Sequence, residues 1–247
     1  MTLAIIGGTG LEELAGRLQG QKEKKVETSY GAASVIEGTA GGSPLLFLAR
    51  HGSAHDLLPH QINYRANIRA LNDLGADNIL AVVAVGSLKT DIKPGEFVLV
   101  DQFIDFTRGR EDSFSGRDGA VSHVDMTEPY DSNLRRLIMV AADEIGMDLH
   151  RGGTYVCTEG PRFETAAEIN MLRSLGADVV GMTGVPEVVL AAELKIPYAA
   201  LAVVTNFAAG MAGHSLTYEG CVSEMGRRRQ TVLDIFLAAA RAGGLLG

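Results

Sequence analysis

The stretch Ile79-Leu80-Ala81-Val82-Val83-Ala84-Val85 is apolar at every position. A strand with one face in water alternates apolar and polar residues. A strand apolar throughout needs cover on both faces, as in a parallel sheet with helices above and below. Similar runs recur at residues 3–6, 45–49, 97–100, 154–157, 179–182 and 198–204, bounded by Gly, Asp or Pro.

Helical spacing fills the intervals between them. Residues 62–74 carry Ile62, Ala66, Ile68, Leu71 and Leu74 at near i, i+3, i+4 steps, and residues 133–145 and 222–241 read similarly. Residues 165–175 open on Thr165-x-x-Glu168, the pattern of a capping box. The string Leu71-x-x-Leu74-Gly75-Ala76-Asp77 returns as Leu172-x-x-Leu175-Gly176-Ala177-Asp178, each copy followed by an apolar run. This is one helix-to-strand turn used twice, with the glycine left-handed. The alternation predicts a single α/β layered domain over 1–247, with a central mixed, mostly parallel sheet flanked by helices. The polar stretch 108–122 reads as a long functional loop.

Charge and composition narrow the function. Lys and Arg total 22 against 30 Asp and Glu, a formal net charge of −8. No basic stripe runs along the chain, so nucleic acid is not the expected partner. Arg227-Arg228-Arg229 reads as the solvated face of a late helix. No apolar run nears the roughly 18 residues that span a bilayer, and no signal peptide opens the chain, so a cytoplasmic location is expected. Two cysteines, Cys157 and Cys221, make no disulfide framework. The 30 glycines exceed the ordinary share of roughly 7%, and many sit at the ends of the apolar runs. There they are expected to bring backbone amides close to a ligand.

Five polar or Gly-rich clusters stand at those ends. Gly7-Gly8-Thr9-Gly10 follows the first run; it is either a tight turn or an anion cradle. It lacks the third glycine of a dinucleotide fingerprint, although Glu27 could pose as the ribose-binding acid of a reductase. Arg50-His51-Gly52 offers a guanidinium fork for phosphate. His51, His55, Asp56 and His60 have no helix to align them, so no metal is expected. Glu159-Gly160-Pro161-Arg162-Phe163-Glu164-Thr165, Gly181-Met182-Thr183-Gly184 and Val204-Thr205-Asn206-Phe207 complete the set. In an α/β fold all five would ring one crevice.

These motifs, together with Asn63-Tyr64-Arg65-Ala66-Asn67-Ile68, Gly86-Ser87-Leu88, Asp101-Gln102-Phe103-Ile104-Asp105 and Pro186-Glu187, resemble the trimeric purine nucleoside phosphorylases, more particularly their 5′-methylthioadenosine phosphorylase subgroup. The resemblance runs in register from residue 3 to about 206. It implies that Thr9, Arg50, His51, the Val83-Ala84 backbone and Thr183 hold phosphate. It places Met182 at the ribose and Phe163 and Phe207 near the base, with Asn206 on the purine edge. It also implies a homotrimer in which His123 reaches a neighbouring subunit's 5′-pocket. No cofactor is implied, because inorganic phosphate is a co-substrate that attacks C1′.

The chain departs from the subgroup in three places. Asn206 and Ala208 stand where aspartates are usual, and Val83 where Thr is frequent. An amide NH₂ donates to N7 or O6, so Asn206 favours a 6-oxopurine over adenine. An inward Tyr218 or Leu216 would make the 5′-pocket apolar, and an inward His214 would suit a 5′-hydroxyl. The expectation is phosphorolysis of S-methyl-5′-thioinosine, in purine salvage. A general inosine/guanosine phosphorylase, a methylthioadenosine phosphorylase, a dinucleotide-dependent reductase and a non-catalytic nucleoside-binding module are the alternatives.

Overall fold

The computed structural model describes residues 1–8, 16, 18–52, 55–115, 123–211 and 216–245. Its strands are β1 (Leu3–Gly7), β2 (Gln19–Thr28), β3 (Gly31–Ala40), β4 (Ser43–Ala49), β5 (Asn78–Ser87), β6 (Phe97–Leu99), β7 (Gln102–Phe106), β8 (Thr154–Thr158), β9 (Val179–Gly181) and β10 (Tyr198–Phe207). Its helices are α1 (Tyr64–Asp73), α2 (Ser132–Glu144), α3 (Ala166–Ser174), α4 (Gly184–Glu193) and α5 (Tyr218–Ala242).

The strands join in one sheet, ordered β2-β3-β4-β1-β5-β9-β8-β7, with β10 also on β5 and β6 on β10. Pairing is parallel for β1 with β4 and β5, β10 with β5, and β8 with β7 and β9. It is antiparallel for β2–β3, β3–β4, β5–β9 and β6–β10. The mixed α/β sheet expected from the sequence is the one that forms.

The apolar runs sort by parity. Ala4, Ile6, Ala81, Val83, Ala200 and Ala202 join one core under α1 and α4. Leu3, Ile5, Leu80, Val82, Leu201 and Val203 join the other, under α2 and α5. Successive side chains point to opposite faces, so two helical layers leave no strand position for a polar residue.

The repeated turn has the expected geometry. Gly75 and Gly176 lie at φ +78 and +92. The amides of Ala76 and Ala177 close back on Leu71 and Leu172 at 3.0 and 3.2 Å. The aspartates share a task as well. Asp77 Oδ2 accepts the Thr2 amide at 2.7 Å, and Asp178 Oδ2 accepts the Thr154 amide at 2.8 Å. Each carboxylate thereby holds the entry of a neighbouring strand.

Four elements escaped the sequence reading. The hairpin β2–β3 is largely exposed and rich in Lys and Glu, so it has no core period to detect. The third, β7, is half-exposed at the sheet edge. The fourth, α4, opens Gly-Val-Pro, with Val185 outside helical φ/ψ, so Pro186 reads as a breaker. Two strands also run further than expected. β5 extends to Ser87 and β10 to Phe207, which places Gly86 and Asn206 on strands rather than in loops.

Candidate active site

One edge of β5 pairs with β10 from Tyr198↔Ile79 to Phe207↔Ser87. The other edge is divided: β1 covers it up to Ala81, and β9 only from Gly86. Residues 82–85 therefore meet a fork, and their peptide groups on that side need other partners. Arg50 Nη1 donates to the Val82 carbonyl at 2.8 Å. The Val85 carbonyl faces β10, where Thr205 Oγ1 donates to it at 3.2 Å. Peptide direction alternates along a strand. Hence Ala84 opens its amide into the fork, whereas Val83 is committed to β10. A cavity of about 250 Å³ occupies the fork, with Ala84 but not Val83 among its lining.

Arg50 follows β4 and is 1% exposed. Its Nε and Nη2 bind Glu187 Oε1 and Oε2 at 2.5 and 2.9 Å, and Tyr198 Oη donates to Oε2 at 2.9 Å. Burial disfavours its charge, but the attraction and hydrogen bonds of Glu187 outweigh this and hold the guanidinium pKa above its ordinary value. One N–H on each Nη remains for the cavity. Gly8 makes the arrangement sterically possible, because a Cβ there would lie 2.8 Å from Arg50 Nη1.

His51 also lines the cavity. Its Nδ1 donates to the Leu57 carbonyl at 2.8 Å, leaving Nε2 an acceptor. Burial, with Arg50 and His55 adding to it, lowers its pKa to about 4 despite the Leu57 bond. The ring lies 4.7 Å from that of His55. Thr183 is buried at the cavity, but its amide and that of Gly184 both donate to Tyr155 Oη at 3.1 Å. Its hydroxyl is the group left to serve a ligand.

On the other wall, β10 shifts register between Val204 and Asn206, and such a bulge re-aims the side chains beside it. Asn206 Oδ1 accepts from Thr205 Oγ1 at 2.7 Å and from Cys221 Sγ at 3.2 Å, while Nδ2 donates to the Phe207 carbonyl at 2.9 Å. A Cβ on Gly86 would come within 2.9 Å of that Nδ2. At Gly8 and Gly86 the missing Cβ makes room for a functional side chain. Both glycines also line the cavity, where the sequence led to an expectation of close backbone approach to a ligand.

Phe163, Met182, Ala208 and Tyr218 line the cavity. Phe207 and His123 do not appear in its lining, and His123 is exposed. Thr9 and His214 lie outside the described residues. Glu27 is exposed on the outer hairpin, paired with Lys25 at 2.8 Å.

Sequence reasoning missed four contributors. Glu164 lines the cavity, 9% exposed, with Oε1 accepting from Thr158 Oγ1 at 2.6 Å, and burial raises its pKa. The signal was its place beside Phe163, just before the Thr165 cap. Glu187 carries no local signal of its bond to Arg50 beyond its place after Pro186. Cys221 and Met225 share a helical stripe with Tyr218, because α5 starts at residue 218 rather than 222. Behind the site, Arg110 donates to Tyr64 Oη and to the Val185 and Glu159 carbonyls at 2.8–3.0 Å, fastening its segment to α1, to the start of α4 and to the end of β8. The arginine triplet lies on α5, where Arg227 and Arg228 pair with Glu224 at 2.9 and 2.8 Å.

The model of the phosphorylase superfamily matches residues 2–241. The 6-oxopurine nucleoside phosphorylase of Pyrococcus furiosus is 47% identical over 243 residues, covering 96% of this chain and 91% of that protein. A probable S-methyl-5′-thioinosine phosphorylase of Methanocaldococcus jannaschii is 46% identical over 94% of this chain and 89% of its own length. Methylthioadenosine phosphorylase from Schistosoma mansoni, solved with adenine, superposes with a TM-score of 0.94 at 34% identity, over 100% of this chain and 93% of that one. Family match, sequence identity and shared fold agree, and the chain belongs to the phosphorylase superfamily, among its nucleoside phosphorylases.

Proposed function

We propose that the protein cleaves 6-oxopurine nucleosides by phosphorolysis, with S-methyl-5′-thioinosine and phosphate giving hypoxanthine and 5-methylthioribose 1-phosphate. The observation that carries this reading is the pairing of Glu164 with Asn206 in one cavity. The N1–H of hypoxanthine donates to a carboxyl oxygen of Glu164, and its N7 and O6 accept from an amide N–H. Adenine has no proton at N1 to offer. The names of the Pyrococcus and Methanocaldococcus relatives support the 6-oxo choice.

Phosphate binds at the fork, against the free N–H groups of Arg50, the Ala84 amide, the Thr183 hydroxyl and the expected Thr9. His51, neutral, accepts from a protonated phosphate oxygen through Nε2. A phosphate oxygen attacks C1′ as the C1′–N9 bond breaks through an oxocarbenium-like state. The electron pair of that bond leaves with the purine, whose negative charge at N7 and O6 meets the N–H of Asn206. No protein nucleophile and no cofactor take part, and catalysis rests on positioning and electrostatics. Phe163 stacks near the base, with Phe207 behind it, and Met182 packs on the ribose. The apolar side chains of Leu216 and Met225 line the cavity beside Tyr218, and they favour a methylthio group over a 5′-hydroxyl.

We read residues 1–247 as one domain acting in purine salvage in the cytoplasm, as a homotrimer in which His123 completes a neighbour's 5′-pocket. Four nucleosides, crossing 6-oxo or 6-amino with 5′-hydroxyl or 5′-methylthio, test the reading. Phosphate-dependent release of hypoxanthine, fastest from S-methyl-5′-thioinosine, is the expected result. Release of adenine alone, or none, overturns it and leaves the methylthioadenosine phosphorylase or the non-catalytic binding reading in its place.

A further inference from the structure

Cys221 lines the cavity from α5, and its polar atom reaches Asn206. Its Sγ stands 3.2 Å from Oδ1. The Phe207 carbonyl at 2.9 Å from Nδ2 can only accept, so the NH₂ end of the amide belongs on that side. One N–H is used there and the second is free. Oδ1, on the opposite side, needs donors. The Thr205 hydroxyl has a single proton, and Asn206 Oδ1 at 2.7 Å, the Val85 carbonyl at 3.2 Å and the Cys221 sulfur compete for it. When that proton serves Val85, the donor left to Oδ1 is the thiol.

We propose that Cys221 is a positioning residue for base recognition: its thiol donates to Asn206 Oδ1 and, with Thr205, holds that oxygen away from the purine, so that the amide presents its N–H to the base. This rests on the assignment of Asn206 to the purine edge. A 6-oxopurine, with acceptors at O6 and N7, matches such an amide. A 6-aminopurine needs an acceptor for its NH₂ group, and Oδ1, held towards Thr205 and Cys221, is not the edge the amide presents. Burial raises the pKa of Cys221, so the thiol stays protonated and remains a donor at neutral pH. The other cysteine, Cys157, is fully buried. Its pKa is pushed up to about 11, chiefly by that burial.

The test compares kcat/KM for S-methyl-5′-thioinosine and S-methyl-5′-thioadenosine, with inorganic phosphate, in wild type, C221A, C221V and C221S. Loss of one hydrogen bond should lower the 6-oxo to 6-amino ratio by about three- to tenfold in C221A and C221V. C221S, which restores a donor, should regain ratio relative to C221A. In an N206A background, C221A should change the ratio no further, whereas a general packing defect would persist there. C221V fills much of the thiol's volume, so a fall in both apolar variants with unchanged thermal unfolding marks the lost donor. Two results overturn the proposal. One is a ratio untouched in C221A and C221V; the other is a loss that survives in N206A. A wild type that releases no hypoxanthine instead overturns the underlying substrate reading.

Discussion

Arg50 and Asn206 meet the cavity in opposite ways. Arg50 is charged and buried, and Glu187 fills two of its donors. Asn206 is neutral and holds a free N–H by partners on both sides. Replacing Asn206 by Asp removes that N–H and supplies an acceptor for a 6-amino group. Asn206→Asp should therefore shift preference from hypoxanthine release towards adenine release, read as the ratio of the two kcat/KM values. A variant that merely loses activity, with no change in ratio, would remove the support for the amide's role. His51 carries a pH prediction. Its folded pKa of about 4 lies below the ordinary 6.5, so the unfolded chain takes up a proton first as pH falls. The contribution of a neutral His51 is complete above about pH 6.5 and drains away down to about pH 4. Denaturant unfolding between pH 7 and 4 should show a shallower loss of stability in His51→Asn than in wild type. Arg50 and Asn206 were legible because their chemistry follows directly on apolar runs. Glu187 was not, because its partner lies 137 positions away.

At the scale of elements, the site is made where strands stop. β1 ends on β5 at Ala81 and β9 begins at Gly86, and the gap between them exposes the Ala84 peptide. The apolar runs foretold β5 and β10, but their polar ends, which line the cavity, read as loops. The Thr165 capping box was legible because both of its bonds are local. Thr165 Oγ1 accepts the Glu168 amide at 3.1 Å, and Glu168 Oε2 accepts the Thr165 amide at 2.7 Å. It starts α3 directly after Phe163 and Glu164, so a local signal orients two cavity residues. Gly86 tests the close packing of β5 against Asn206. In Gly86→Ala the new Cβ displaces the amide, since its position lies 2.9 Å from Nδ2 and 3.4 Å from Ala208 Cα. Hypoxanthine release should fall on the order of tenfold or more, because small misplacements of a reacting geometry are costly. Unchanged kcat/KM in this variant would mean that Asn206 does not need its observed position.

For the whole molecule, a net charge of −8 is compatible with the proposed phosphate site, because positive potential there is confined to one buried guanidinium and nearby amides. Among the described residues, no helix is long and apolar enough to cross a membrane. His123 is exposed and apart from the cavity of its own chain, so any role in the 5′-pocket requires a second subunit. Light scattering should report three times the 26.1 kDa chain mass. His123→Ala should raise KM for S-methyl-5′-thioinosine without changing that mass. A fully active monomer would refute both the trimer and the shared pocket.

The sequence by itself determined the layered sheet, since apolar runs with no polar register can be buried only between two helical faces. It also determined the Thr165 capping box and the left-handed glycine of the repeated Gly-Ala-Asp turn, whose backbone bonds are local. Tertiary structure alone decided which groups share the cavity. Glu187 meets Arg50, Cys221 meets Asn206, and Gly8 and Gly86 vacate space for side chains from other strands. These are contacts between segments distant in the chain. Periodicity records which face of an element is buried, and it carries no information about which residue of another element lies opposite.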